Sequence, residues 1–251
     1  MCPTRGSIIS IYGDGPFGGR ATGGDDLLHF RVGAGAGFEV RAYFRQLSLM
    51  PSEAEWDERF RRGDHASAAP DPFLEESRAY WPLLREGPRG GSSSQFSARG
   101  LRALDVACGA GRHAVYLAEA GFETTAVDFS SAALERADGL AKSRGATVET
   151  CQMDLEAEAT DLGEGIYDLI AVFFYLHGPL FPRLARAIRP GGLLVYKTYS
   201  VDQSLFPGRP RHRTHMLEHN ELLRKFADFR VLRYEEQWEG RGTAALIARK
   251  P

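Results

Sequence analysis

The sequence predicts an α/β protein with a doubly wound, mostly parallel sheet and one antiparallel strand near the C-terminus. From residue 101 onward, apolar segments of strand length alternate with amphipathic segments of about ten residues. Such alternation is typical of parallel strands joined by helices that cover both faces of a sheet. The last two strands are separated only by Glu239-Gly-Arg-Gly, a turn too short for a parallel crossover, and therefore form an antiparallel hairpin.

Hydrophobic periodicity and turn residues place the individual elements. The predicted strands are Leu101–Ala107, Glu123–Asp128, Thr147–Cys151, Tyr167–Phe174, Gly192–Thr198, Phe229–Gln237 and Thr243–Arg249. The predicted helices between them are Arg112–Ala120, Ser131–Arg144, Leu180–Ile188 and Asn220–Phe226. Two more helices are expected upstream: one starts at the capping-box residues Ser52 and Glu55, and one runs from Pro72 to about Tyr80 with Asp71 as its N-cap.

Composition divides the chain into three parts. Residues 1–49 are rich in glycine and sustain neither a strand nor a helix period, which predicts a disordered extension or sequence upstream of the natural start. Residues 50–98 contain the two upstream helices and a flexible linker that begins at Glu86-Gly-Pro-Arg-Gly-Gly. Residues 99–251 form the predicted α/β domain, which is large enough for a full core.

Charge and hydropathy exclude several classes of function. The formal net charge is −2, so no overall field attracts nucleic acid or an anionic membrane. The longest apolar run, Leu169–Leu176, falls short of the ~18 residues of a membrane helix. The 3 cysteines lie far apart and predict no disulfide framework, and the first residues lack the basic and apolar regions that would predict a secretory signal. We expect a soluble cytoplasmic protein whose partner is a small molecule, and the oligomeric state stays open.

The first strand-to-helix turn, Leu104-Asp-Val-Ala-Cys-Gly-Ala-Gly-Arg-His113, carries the main functional signal. Gly109 and Gly111 let the backbone turn tightly against a ligand, and Asp128 stands where an acid binds ribose hydroxyls in nucleotide-binding α/β folds. The loop departs from a pyrophosphate-binding fingerprint, because Ala114 replaces its third glycine and Asp105 would repel phosphate. It therefore suits an adenosine ligand with a cationic amino-acid tail, a description that S-adenosylmethionine fits.

Here the chain resembles class I S-adenosylmethionine-dependent methyltransferases. The matching elements, in family order, are Leu104-Asp-Val-Ala-Cys-Gly-Ala-Gly, Ala126-Val-Asp-Phe-Ser, Met153-Asp-Leu-Glu, Tyr167-Asp-Leu-Ile and Arg189-Pro-Gly-Gly-Leu. Within the class, Trp56-Asp-Glu-Arg-Phe and Cys-Gly-Ala-Gly-Arg-His are similar to the tellurite-resistance and thiopurine-type branch. The resemblance implies a Rossmann-like seven-stranded sheet and methylation of an acceptor. One departure is Ala107, which stands where many members have the first glycine.

The resemblance also implies the residues of the cofactor site. Those facing the methionine part are Asp105 and the backbone at Ala107, Cys108 and Gly109. Those at the ribose and adenine are Asp128, Phe129, Met153, Asp154 and Leu155. Those near the sulfonium and the substrate mouth are Phe173 and Phe174.

Candidate catalytic and acceptor-binding residues follow the fourth and fifth strands. Tyr175 could place an aromatic face near the sulfonium, and His177 could serve as a general base if the acceptor loses a proton. A structural role for His177 is the alternative. Arg209, Arg211 and Arg213 predict a clamp for an anionic acceptor, with a solvated basic loop as the equal alternative.

Two other functions stay open at this stage, and metal binding is not expected. A nicotinamide-dependent oxidoreductase could use the same fold, although Asp105 and the incomplete phosphate fingerprint oppose it. A non-catalytic cofactor-binding partner of another methyltransferase would carry the same binding residues. His212, His215 and His219 have helical spacing, but Pro210 and its neighbours indicate a loop, so we predict no metal site.

Overall fold

A computed structural model describes residues 52–63, 67–85, 97–208, 210 and 212–251. The extension predicted over residues 1–49 and the predicted linker lie outside the described residues. Within them, a seven-stranded sheet has the order β3-β2-β1-β4-β5-β7-β6. Its strands are β1 Arg102–Val106, β2 Glu123–Asp128, β3 Val148–Gln152, β4 Tyr167–Phe173, β5 Ile188–Tyr199, β6 Arg230–Gln237 and β7 Thr243–Arg249.

The strand directions confirm the predicted fold class. Strands β3, β2, β1, β4 and β5 pair in parallel, in that order. Strand β7 runs antiparallel to both of its neighbours, β5 and β6. The terminal hairpin therefore inserts its second strand into the sheet and leaves β6 at the edge.

Helices follow the predicted order with some altered boundaries. They are α1 Glu53–Arg62, α2 Pro72–Glu76, α3 Arg112–Glu119, α4 Ser131–Ser143, α5 Phe181–Ala187 and α6 Glu221–Lys225. The second helix is shorter than predicted, because a 3₁₀ segment, Ser77–Leu84, with Pro82 inside it follows α2. Strand β5 begins earlier than predicted, because Ile188 already pairs with Tyr167 ahead of the Pro-Gly-Gly turn. No helix among the described residues combines the length and apolar character that crossing a membrane requires.

Apolar side chains alternate between the two faces of the central strands. Leu104, Ile170 and Leu194 point to one face, which α5 and α6 cover. The neighbouring positions in these strands point to the opposite face, which α2 and the 3₁₀ segment cover. There Phe73, Leu74, Trp81 and Leu84 are buried against the sheet, so the upstream helices belong to the core.

Candidate functional site

The glycine loop between β1 and α3 is held at the carboxyl ends of β1 and β2. Cys108 N donates to the carbonyl oxygen of Val127 at 3.0 Å, which joins the loop to β2. Gly111 has φ 79°, and a Cβ there would lie 2.5 Å from Cβ of Ala137 on α4. Glycine is therefore required at Gly111 both by the backbone conformation and by the close approach of α4.

Asp105 is a buried carboxyl group in β1, beside the glycine loop. Its Oδ2 accepts a hydrogen bond from Ala114 N at 2.9 Å, whereas Oδ1 has no hydrogen-bond partner among the described residues. Burial, reinforced by the nearby charge of Asp128, raises the pKa of Asp105 to about 7. An ammonium group would satisfy the free oxygen and restore the ionised form, so the site fits the cationic tail of S-adenosylmethionine.

Asp128, at the end of β2, holds the glycine loop by accepting hydrogen bonds from backbone N–H groups. Its Oδ2 accepts from Gly109 N at 2.9 Å and its Oδ1 accepts from Ser130 N at 3.0 Å. Burial raises its pKa despite these hydrogen bonds. Each carboxylate oxygen has a second lone pair, so ribose hydroxyls could still donate to it.

The residues that follow β3 differ in how deeply they are buried. Met153 N donates to the carbonyl oxygen of Asp128, which draws this segment toward the end of β2. Asp154 is exposed and its Oδ1 accepts from Glu156 N at 2.9 Å. Leu155 belongs to the core, and Phe129 is half-buried. The roles that the resemblance assigns to these residues stay predictions.

Side chains of β4 alternate between the two faces of the sheet, and this alternation breaks where the strand ends. Phe174 adopts φ 56°, a left-handed conformation that is costly for a bulky residue. Phe173 and Phe174 consequently lie against the same face of the sheet, although they are neighbours in the chain. The ring of Phe173 lies against that of His113 at a tilt of 30°, with the centroids 4.1 Å apart, and the ring of Phe174 lies 5.1 Å from that of Tyr199.

Tyr175 packs against the opposite core, and its hydroxyl is buried without a partner among the described residues. Burial and the charge of Glu156 raise its pKa, so the hydroxyl stays protonated. His177 precedes the 3₁₀ turn Gly178–Leu180, and its carbonyl oxygen accepts from Leu180 N at 3.0 Å. Burial raises the pKa of Glu156, and the nearby His177 partly opposes this rise.

Helix α1 crosses the carboxyl edge of the sheet, a contact that the sequence did not predict. Asp57 Oδ1 accepts from Ser130 Oγ at 2.5 Å and from Ala132 N at 3.2 Å, so it caps α4 from another part of the chain. A Cβ on Gly109 would lie 3.4 Å from the Phe60 ring. The Trp56-Asp-Glu-Arg-Phe motif was the available signal, but it does not state where the helix packs.

The loop after β5 is described only in part. Arg209 and Arg211 lie outside the described residues. Arg213 is exposed and donates from two nitrogens to both carboxylate oxygens of Glu218, each at 3.0 Å. His219 contacts Asp202, and no group of three or more metal-ligating side chains occurs among the described residues.

Comparison with known proteins assigns the fold and the glycine loop to one family. Residues 103–192 match the family model of a methyltransferase domain. Residues 103–192 therefore form a methyltransferase domain. This match agrees with the resemblance to S-adenosylmethionine-dependent methyltransferases on which the sequence analysis based its cofactor.

Curated relatives of the methyltransferase domain include two named methyltransferases. A protein of Geobacillus sp. (strain WCH70) is 33% identical over 150 residues, which cover 51% of this chain and 59% of the relative. The ubiquinone biosynthesis O-methyltransferase of Pectobacterium atrosepticum is 35% identical over 104 residues, covering 39% and 43%. The chain thus spans about half the length of the curated relatives it matches.

Solved structures share the fold of the methyltransferase domain. TehB from Haemophilus influenzae has a TM-score of 0.56 at 18% identity, covering 78% of this chain and 67% of that one. A TehB-like protein from Corynebacterium glutamicum has a TM-score of 0.53 at 16% identity, covering 79% and 98%. At these identities the likeness extends to the fold alone.

Backbone strain at Ala107 yields a stability prediction. This residue has φ 55°, where a Cβ costs energy that glycine avoids. We expect Ala107→Gly to raise the free energy of unfolding by roughly 0.5–1 kcal/mol, after the entropic cost of glycine is subtracted. Urea denaturation measures the change. Ala110→Gly, in the same loop at a position without positive φ, is the control and should destabilise; an equal loss in both variants would contradict strain at Ala107.

Proposed function

We propose that the protein transfers a methyl group from S-adenosylmethionine to a small-molecule acceptor by in-line displacement. The observation that carries the proposal is the buried Oδ1 of Asp105 beside the glycine loop, which has no hydrogen-bond partner in the part of the chain that the structure describes. A pyrophosphate would meet a carboxylate there, whereas a cationic amino-acid tail would neutralise it. This favours the methyl donor over a nicotinamide dinucleotide.

The residues supply position and a dry environment rather than covalent chemistry. The bound cofactor would provide an activated methyl group on a sulfonium centre. The rings of Phe173 and Phe174 stand at the end of β4, where aromatic faces favour a cation and exclude water. Tyr175 keeps its proton and therefore cannot act as a base, which leaves His177 as the base for an acceptor that must lose a proton.

A cofactor titration combined with a turnover assay tests the proposed function. Calorimetry should detect S-adenosylmethionine and S-adenosylhomocysteine but not NADH. Mass spectrometry with a methyl-labelled donor should then find product with at least one acceptor in a panel of thiols, metalloid oxyanions and small hydroxylated or amino compounds. NADH binding without S-adenosylhomocysteine binding would overturn the proposal, and cofactor binding without turnover on any acceptor would favour the non-catalytic alternative.

The elevated pKa of Asp105 predicts a pH-dependent affinity. The carboxyl group ionises at about 7 in the unliganded folded protein, against an ordinary value of 3.8, so folding takes up a proton between these values. The contribution of Asp105 to stability therefore falls as pH rises through this window. Conversely, S-adenosylhomocysteine needs the ionised form for its ammonium group, so its affinity should rise about tenfold per pH unit up to about 7 and then level off.

Calorimetry from pH 5.5 to 8.5 measures this dependence. Asp105→Asn should bind more weakly at pH 8 and lose the slope. Glu123→Gln, an exposed carboxylate at the start of β2, serves as the control and should keep the slope. A flat profile in the unchanged protein would show that Asp105 does not pair with the ammonium group.

The loop that contains Arg209, Arg211 and Arg213 is predicted to affect binding of the acceptor and not binding of the cofactor. The Arg213–Glu218 pair is exposed and contributes little to stability, so an anionic acceptor could displace the glutamate. Replacing Arg209, Arg211 and Arg213 together by Gln should raise KM for an anionic acceptor about tenfold or more and weaken its salt dependence. The affinity for S-adenosylmethionine should not change.

Steady-state kinetics at two salt concentrations measures both effects. Replacing the exposed Arg144 and Arg186 by Gln removes charge elsewhere and should leave KM unchanged. If the triple variant loses cofactor binding while acceptors behave normally, the loop belongs to the cofactor site and the clamp is wrong.

A further inference from the structure

We infer that His113 binds the amino-acid tail of the cofactor by donating a hydrogen bond from Nε2 to its carboxylate. The inference rests on the proposed function and extends the cofactor site to a residue for which the sequence analysis proposes no role. It begins from a buried polar atom, Nε2 of His113, that none of the described residues satisfies.

His113 is the second residue of α3 and follows the glycine loop directly. Only 4% of the residue is exposed, and Nε2 has no hydrogen-bond partner among the described residues. Leaving such an atom unpaired is costly, and buried polar groups without partners are rare in folded proteins. A ligand that completes the hydrogen bond explains why a polar ring occupies this position.

The surroundings of His113 place it at the methionine end of the cofactor site. Ala114, the next residue, donates its backbone N–H to Asp105, the carboxylate expected at the ammonium group. The imidazole ring packs against Phe173 at the end of β4. His113 therefore stands between the glycine loop and the strand end that flanks the sulfonium.

Charge selects the carboxylate as the group bound by His113. Burial, together with the positive charges of Arg112 and Lys197, lowers the pKa of His113 to about 3, so the ring is neutral and can donate from one nitrogen. Lys197 pairs with Asp71 at 2.9 Å within the same region. Because Lys197 is already paired with Asp71, the charge of Arg112 is the one that favours a carboxylate over an ammonium group. The ammonium group is already matched by the oxygen of Asp105 that has no partner among the described residues.

Calorimetry with three ligands tests the inference without any acceptor. The ligands are S-adenosylhomocysteine, its decarboxylated analogue, and 5′-methylthioadenosine, which lacks the whole amino-acid tail. His113→Phe keeps a ring against Phe173 but removes Nε2, and His113→Leu makes the same test if the larger ring does not fit. Tyr116→Phe is the control, because it removes one hydroxyl from the same helix where Tyr116 packs against Trp81.

In the unchanged protein, S-adenosylhomocysteine should bind about tenfold or more tightly than its decarboxylated analogue. His113→Phe should abolish that difference while binding methylthioadenosine within about twofold of the unchanged protein. Its melting temperature should be equal or higher, since a buried unpaired atom has been removed. The Tyr116→Phe control should retain the full difference.

Two results would overturn the inference. One is a His113→Phe variant that still binds S-adenosylhomocysteine about tenfold more tightly than its decarboxylated analogue. The other is an equal loss of affinity for all three ligands, which indicates a general structural role. If the unchanged protein fails to bind S-adenosylhomocysteine at all, the proposed function itself is wrong, and the two failures are thereby distinguished.

Discussion

The carboxylate of Asp128 connects the three segments from which the site is built. By accepting from Gly109 N and Ser130 N, it ties the glycine loop to the end of β2 and to the start of α4. Both bonds are made in a buried environment, where an unpaired N–H would be costly. The position of the loop against α4, and with it the close contact at Gly111, depends on this carboxylate.

A second carboxylate extends the same arrangement to the upstream chain. Asp57 binds Ser130 Oγ and Ala132 N at the first turn of α4, where backbone N–H groups and the helix dipole favour an anion. This contact holds α1 across the carboxyl edge of the sheet, with Phe60 beside Gly109. The upstream helices are thus joined to the domain in two ways: α2 packs its apolar side chains on the sheet, and α1 makes a buried polar contact with α4 through Asp57.

The strained backbone positions of the site occur at strand ends. Ala107 and Phe174 both have positive φ, and they follow β1 and β4, two neighbours in the sheet. The left-handed backbone of Phe174 costs conformational energy, but it brings two adjacent aromatic rings, Phe173 and Phe174, to the same face of the sheet. Strain of this kind persists only where the surrounding structure determines the conformation, here through the bond from Phe174 N to the carbonyl oxygen of Lys197 at 2.8 Å.

The sequence by itself determined the order and type of the elements, because periodicity, caps and turn residues are local properties: Asp71 caps α2 as predicted, and the short final turn requires an antiparallel strand. It also located the glycine loop, Asp105 and Asp128, since glycines and acids at strand ends have a recognisable spacing. Only the tertiary structure decided that Asp57 caps α4 by accepting from Ser130, which lies 73 residues further along the chain. It also decided that Asp105 Oδ1 and His113 Nε2 have no partners among the described residues. These features depend on which distant segments meet at the edge of the sheet, and hydrogen-bond satisfaction can be judged only once every neighbour of a buried atom is known.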